Sequence, residues 1–546
     1  MKYILAAFIL ISQSIRAQQL SKADIKVTEE LRVSINYLAD DKLEGRRTGS
    51  AGEKLAYEFI VKEFQKAGLV GLTSSKSFLQ PFDVYEGKEI NKETSVILGG
   101  KLKQLYRDFF PFPYSANVKN LTIDDENDIA YYDIENIKRQ NENNPHFDIK
   151  DDILNFSKKA LSEGKKSVIV KDKAQRIAQE KQNEFSFDGK DKTPAIGIPV
   201  IYLIEQPTGN AAVEAIPALT PAALISVSLI PKVRTGHNVI GYINNSAPHT
   251  IILGAHYDHL GNGEDHNSLH AGKTPMIHNG ADDNASGTAA LIELGKWLKK
   301  SAHKKYNYVL IAFSGEELGL YGSKYFTEHP GIDLKTVNYM INMDMIGRLN
   351  DSTHGLTIGG YGTSPYWSKL INTNDTYFKI NLDSSGSGPS DHTSFYRKDI
   401  PVLFFFTGSH KDYHKPSDDA EKINYRGELK IIHYIQDIIA RTNKMDKLSF
   451  TKTREVSMGK SSFKVSMGIM PDYTYSGSGV MVDGVSENKA AQKAGVKTGD
   501  VLTQLGDHKF TDVQTYMDAL NKFNKGESTN VKLKRGKEEL ILPVTF

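Results

Sequence analysis

No cysteine occurs anywhere in the 546 residues. That absence removes disulfides, thiolate metal ligands, a cysteine nucleophile and a cysteine-linked lipid, so any metal must be held by His, Asp and Glu. Exported proteins often use disulfides, but a chain of this length buries enough apolar surface to fold without them. A charge excess is also missing, the formal net charge being +2 with 25% of residues charged. Nucleic-acid binding usually shows as a basic excess, so nucleic acid is not an expected partner. Long apolar runs are nearly absent too. The longest, residues 3–11, is about half of the ~20 residues that span a bilayer, so no permanent membrane anchor is expected. Tandem repeats and long low-complexity tracts are not found.

What is present begins with Lys2, the short apolar run, and a polar stretch with the small residue Ala17 ahead of Gln18 and Gln19. That order reads as a secretory signal peptide over residues 1–17, and it predicts export to the periplasm or beyond the cell. The remaining length suggests about three domains. Strand-like apolar runs at 250–255, 308–313, 337–343 and 401–406 alternate with amphipathic helical patterns at 286–300 and 429–441. This alternation predicts an α/β fold with a mixed, largely parallel sheet flanked by helices. That domain is expected to be discontinuous, over 18–114 and 231–442, because residues 115–230 change to polar runs and short strands, as a β-rich insertion would. A polar, Lys-rich linker follows over 443–464, and residues 465–546 read as a compact unit of short strands with a helix near 512–524.

Five segments place acids or histidines at or just past the ends of predicted strands, the edge at which open α/β sheets bind ligands. His256 ends one strand, with Asp258 two residues on, where a carboxylate can hold the other ring nitrogen of a ligating imidazole. Asp282 and Asp283 lie in a tight acidic turn between Gly280 and Gly287. Glu316 and Glu317 are adjacent and point different ways, so one can bind metal while the other moves protons. Asp344 ends an apolar run, a costly place for a charge unless it is paired or metal-bound. His414 comes last, after Tyr413. Singly, each has a plainer use: a surface histidine, a solvated helix start, a turn cap. Together, at matching positions of one α/β unit, they point to a metal centre.

These segments resemble, in order, the motifs of the co-catalytic zinc aminopeptidases, metallopeptidase family 28, which also includes glutamate carboxypeptidase and the glutaminyl cyclases. The resemblance covers roughly residues 38–110 and 235–445. It implies a zinc-exopeptidase fold holding two zinc ions and acting on peptides. It puts His256 and Asp344 on one ion, Glu317 and His414 on the other, and Asp283 between them. It makes Glu316 the general base and Asp258 the partner of His256. The segment around Ser390, Asp391 and His392 is similar to a family segment near the substrate pocket, which implies a substrate or supporting role for His392. Some members place an oxyanion-stabilising Tyr shortly before that segment, where this chain has Ser385-Gly386-Ser387-Gly388. Glutamate carboxypeptidase has a Tyr directly before its last ligand His, which makes Tyr413 the oxyanion candidate here. Arg348 is a candidate for a substrate carboxylate, or for a salt bridge. His259, His266, His270 and His278 are expected to be solvated or lid residues.

The insertion loosely resembles a protease-associated domain. The C-terminal unit looks like a PDZ domain, with residues 490–502 as a helix turn before a Gly-Asp strand start and residues 466–470 as the loop that captures a peptide carboxylate. Its expected partner is a C-terminal peptide or protein ligand. The leading expectation is a secreted aminopeptidase. Carboxypeptidase or dipeptidase action on the same scaffold stays open, as do a one-zinc glutaminyl cyclase and an inactive peptide-binding protein. The complete two-ion ligand set argues against the cyclase, and Glu316 argues against an inactive protein.

Overall fold

The computed structural model describes residues 20–72, 77–141, 147, 149–172, 194–204, 221–265, 267–270, 272, 274–453, 465–471, 478–485, 489–511 and 513–546. The expected signal peptide and residues 454–464 of the expected linker lie outside them. Among the described residues no helix is long and apolar enough to cross a membrane.

The chain divides into two compact units, residues 83–234 and the remainder. The main path of the nine-stranded sheet holds β1 (Val70–Gly71), β2 (Leu229–Ile243), β3 (Thr250–His256), β4 (Asn307–Phe313), β5 (Val337–Met343), β6 (Gly355–Gly359), β7 (Lys379–Leu382) and β8 (Val402–Phe406), and strand Leu79–Ile90 pairs with β2 beside it. They run β1-β2-β4-β3-β5-β8-β6-β7 across the sheet. The central pairs β3–β4, β3–β5 and β5–β8 are parallel, whereas β2–β4 and β6–β8 are antiparallel, so the sheet is mixed and largely parallel as expected. Every residue of β3, β4 and β5 is buried, the signature of parallel strands covered on both faces.

The covering helices are α1 (Lys22–Leu38), α2 (Ala51–Lys66), α3 (Gly287–Lys300) and α6 (Tyr425–Thr442), with the shorter α4 (Tyr321–Glu328) and α5 (His392–Tyr396) between them in sequence. Ser21 and Ser50 cap α1 and α2 by accepting the N–H groups of Asp24 and Glu53. In α6, Leu429, Ile432, Ile435 and Ile439 recur at helical spacing and are buried, which fixes the face turned to the core. The first turns of α3 are buried all round because Gly287 lets the helix start against the end of β5, where an added Cβ would lie 2.4 Å from the Met343 carbonyl.

The smaller unit, Asp83–Arg234, holds two four-stranded sheets. One pairs Ala223–Val227 with Ser95–Leu98 and with Val118–Ile123, and the other pairs Val200–Ile204 with Phe109–Pro111 and with Ser167–Asp172. The unit therefore starts near residue 83 rather than at 115. Strands 95–98 and 109–111 each pair with a strand 90 or more residues later, a pairing that local patterning does not reveal. The expected linker differs in its first half: Leu448 is buried, its N–H donates to Asn338 Oδ1 (2.7 Å), and Thr451 N–H donates to the Thr363 carbonyl (2.8 Å).

The C-terminal unit has its own core, built around Met467, Val482, Ala491, Leu502, Leu505, Tyr516, Val531 and Leu533. Helix Ala490–Lys493 leads through Gly499 and Asp500 into strand Val501–Leu505, and helix Val513–Leu520 lies in the expected segment.

Candidate metal centre

The C-terminal edge of the parallel strands gathers the chemistry. His256 is the last residue of β3, Glu316 and Glu317 follow β4, Asp344 follows β5, and the segment reaching His414 follows β8. Asp283 comes from the turn at residues 281–286 that opens α3, with Gly280 in the left-handed region (φ 54°). That turn is pinned from behind. Asp418 Oδ2 accepts the N–H groups of Asp282 (2.9 Å) and Asp283 (3.1 Å), and Asp282 Oδ1 accepts the Gly347 N–H (2.7 Å).

Two donor sets share Asp283. In the first, His256 Nε2 lies 3.3 Å from Asp283 Oδ1 and 3.3 Å from Asp344 Oδ1. In the second, His414 Nε2 lies 3.3 Å from Asp283 Oδ2 and 3.1 Å from Glu317 Oε2. All five residues of the predicted ligand set are thus brought together. Each ligating imidazole has its other nitrogen on a carbonyl, His256 Nδ1 at 3.2 Å from Asp258 O and His414 Nδ1 at 2.9 Å from Asn267 O. That arrangement leaves Nε2 as the metal-facing lone pair. The fit to divalent zinc rests on this all N and O set and on Asp283 Oδ2, which is buried without a hydrogen-bond partner while imidazoles face it.

The electrostatics express the same crowding. Burial works to raise the Asp283 carboxyl, but His259, His256 and His414 hold it well below the carboxylate range. Burial likewise opposes the shift at Glu317, which His414 pulls down to about 2. Burial would lower His256 and His414, yet Asp344 and Glu316 raise the one, and Glu317 and Asp283 the other, well above the usual histidine value. Without metal, protons take up the charge that dications would otherwise neutralise.

Glu316 is raised well above the carboxylate range by burial, against His256, with Asp344 adding to the rise. Its backbone N–H donates to Asp258 Oδ1 (3.2 Å), and Thr48 Oγ1 donates to Asp258 Oδ2 (3.0 Å). Asp258 therefore ties the His256 imidazole at the end of β3 to the Glu316 segment that follows β4. Tyr413 stacks on His414 with ring centroids 3.9 Å apart, which places it beside the second donor set. His392 is buried and stacked on Phe404 (4.6 Å), and burial lowers its imidazole to about 3, so it is neutral at physiological pH. Arg348 Nη2 lies 3.2 Å from Asp412 Oδ2, the salt-bridge use foreseen for it.

Several residues escaped the sequence reading. Ser390, not His392, is the member of its segment that touches the donors: its hydroxyl donates to Asp344 Oδ2 (2.7 Å) and accepts from Asn342 Nδ2 (2.7 Å). Asp391 beside it is fully buried and raised to about 7 by that burial. Arg46 is buried beneath the site, donating to the carbonyls of Tyr257 (2.7 Å), Asn279 (2.6 Å), Gly280 (3.0 Å) and Leu38. Two of the supposed solvated histidines are corrected. His278 is buried, with its nitrogens on Ser268 Oγ (2.7 Å) and Met276 O (2.8 Å). His259 is buried with Nδ1 2.7 Å from Glu317 Oε1, because β3 continues straight into the site. His270 is exposed, and His266 lies outside the described residues.

Residues 238–439 match the profile of Peptidase family M28, and residues 454–545 match that of the PDZ domain. The chain is 27% identical over 241 residues to aminopeptidase YwaD of Bacillus subtilis, covering 42% of this chain and 48% of that protein. It is 28% identical over 196 residues to leupeptin-inactivating enzyme 1 of Streptomyces exfoliatus, covering 34% and 39%. The chain thus spans less than half the length of either relative. Among solved structures it is similar to BSAP, a zinc aminopeptidase from Bacillus subtilis, at 20% identity and a TM-score of 0.43 over 78% of this chain and 98% of that one. Residues 238–439 are a peptidase family M28 domain, and the chain carries a PDZ domain C-terminal to it.

Proposed function

We propose that this protein is a two-zinc aminopeptidase that removes N-terminal residues from peptides outside the cytoplasm. The observation that carries the reading is the pair of donor sets sharing Asp283, His256 with Asp344 and His414 with Glu317. Zinc bound there supplies Lewis-acid polarisation of the scissile carbonyl and makes water more acidic. Glu316, partly buried beside the donor sets, takes the proton from the attacking water and delivers it to the leaving amine. Asp258 holds Glu316 and His256 in register through its carboxylate and its carbonyl. Tyr413, stacked on His414, is the proposed donor to the developing oxyanion. The PDZ domain is proposed to take a peptide C-terminus.

The test is zinc content together with a substrate panel. Two zinc ions per chain are expected, with rapid cleavage of aminoacyl substrates and little of acetyl-blocked ones. Equal rates on blocked N-termini would sink the aminopeptidase reading, and one ion per chain would sink the two-zinc reading. Export is checked separately, by cell fractionation and by the N-terminus of the mature chain, expected after residue 17.

A further inference from the structure

The second donor set contains a residue beyond the expected ligands. His259 lies three residues after His256 and puts Nδ1 2.7 Å from Glu317 Oε1, while His414 Nε2 lies 3.1 Å from Glu317 Oε2. The two imidazoles thus divide the two oxygens of one carboxylate between them. The place is built for the ring. Its backbone N–H donates to the Arg46 carbonyl (3.3 Å), and a Cβ on Gly280 would lie 2.5 Å from the ring. The ring also packs edge-on to His414, with centroids 5.9 Å apart.

Ring nitrogens separate its role from that of the ligands. His256 and His414 each have Nδ1 on a backbone carbonyl, which puts the proton there and leaves Nε2 free toward the carboxylates. His259 is reversed: Nδ1 faces the carboxylate, and Nε2 is buried with no hydrogen-bond partner. A buried N–H without an acceptor is costly, whereas a bare ring nitrogen without a donor costs less. The proton therefore belongs on Nδ1, where it is donated to Glu317 Oε1, and a protonated nitrogen is not a ligand.

Resting on the two-zinc reading, the geometry points to His259 as a positioning residue that, through its Nδ1–H, holds Glu317 by Oε1 so that Oε2 alone is presented to the second ion. Its ring lies close enough to Asp283 and Glu317 to share an ion with them, but on this assignment it donates to Glu317 and takes no ion itself. The chemistry it supplies is an oriented ligand rather than an added one.

The test is Co2+ titration of the metal-free full-length protein, followed by visible absorption, for wild type, His259→Asn and His259→Gln. Asn places an amide N–H close to the Nδ1 position, whereas Gln carries its amide one carbon further out. Affinity for one of two ions is expected to fall about 10–100-fold in His259→Gln, the usual cost of losing a partner behind a ligand, and to recover to within a few-fold of wild type in His259→Asn. The Co2+ bands of His259→Asn should match those of wild type, because its ligands are unchanged. Loss of the ion from both variants, with altered bands, would make His259 a ligand and overturn the inference. Unchanged affinity in both would overturn it as well. Binding of the other ion reports that each variant is folded. If wild type binds fewer than two ions, the two-zinc reading fails first, and this inference with it.

Discussion

Ser390 and His392 sit two positions apart and do opposite things. The Ser390 hydroxyl donates to Asp344 Oδ2, so Ser390→Ala frees that oxygen and should weaken binding of the first ion about 10–100-fold in a metal titration. His392 is buried on Phe404 and lowered to about 3, below the ~6.5 of the unfolded chain. A depressed histidine contributes stability that is present above pH ~6.5 and is lost as pH falls toward its folded value. Between pH 7.5 and 5 the metal-free protein should lose about 2 kcal/mol that His392→Gln does not, read from urea midpoints at the two pH values. An equal loss in both proteins would remove His392 as the cause. The five proposed ligands were legible because each sits in a short motif, four at or after strand ends and Asp283 in the turn that opens α3. His259 was not, although it follows directly from one of those motifs. Its role depends on Glu317, 58 residues later, and on the room left at Gly280.

One N-terminal element supports the edge of the sheet from outside the matched family region. The segment from Leu43 into α2 carries Arg46, Thr48 and Glu53. Arg46 holds the carbonyls of Tyr257, Asn279 and Gly280, Thr48 holds Asp258, and Glu53 accepts from Ser314 Oγ (2.6 Å) and the His237 N–H (3.0 Å). Burial lowers the Arg46 guanidinium to about 10, and Asp258 and Asp283 counter that by favouring its charge. Lysine offers a point charge rather than a fork, and cannot reach this spread of acceptors. Arg46→Lys should therefore cost at least ~3 kcal/mol in chemical denaturation, about two lost charge-assisted hydrogen bonds. A change below ~1 kcal/mol would mean that the carbonyls are satisfied without it. No motif in the sequence singled out Arg46, because three of its carbonyl partners lie more than 200 residues away.

Over the whole molecule, periodicity was enough to place the parallel strands and helices α3 and α6, since fully buried strands read as continuous apolar runs. The start of the smaller unit was hidden by long-range strand pairing. The two donor sets lie in one unit, so zinc bound by them should stabilise that unit and not Asp83–Arg234. At an ion concentration 1,000-fold above the dissociation constant, one ion adds about 4 kcal/mol. Chelation should accordingly lower the melting temperature of the transition that includes α3 and β3–β5 by on the order of 10 °C. The transition of Asp83–Arg234 should stay in place in the same calorimetric scan.

Glu316 separates proton transfer from metal binding, because its carboxyl stands outside both donor sets. Measuring kcat and bound zinc together in Glu316→Gln tests the proposed chemistry in one variant. Turnover of an aminoacyl substrate should fall by about 10²–10⁴-fold while both zinc ions are kept. Turnover within tenfold of wild type, with the zinc retained, would contradict the assignment of the proton transfer to Glu316.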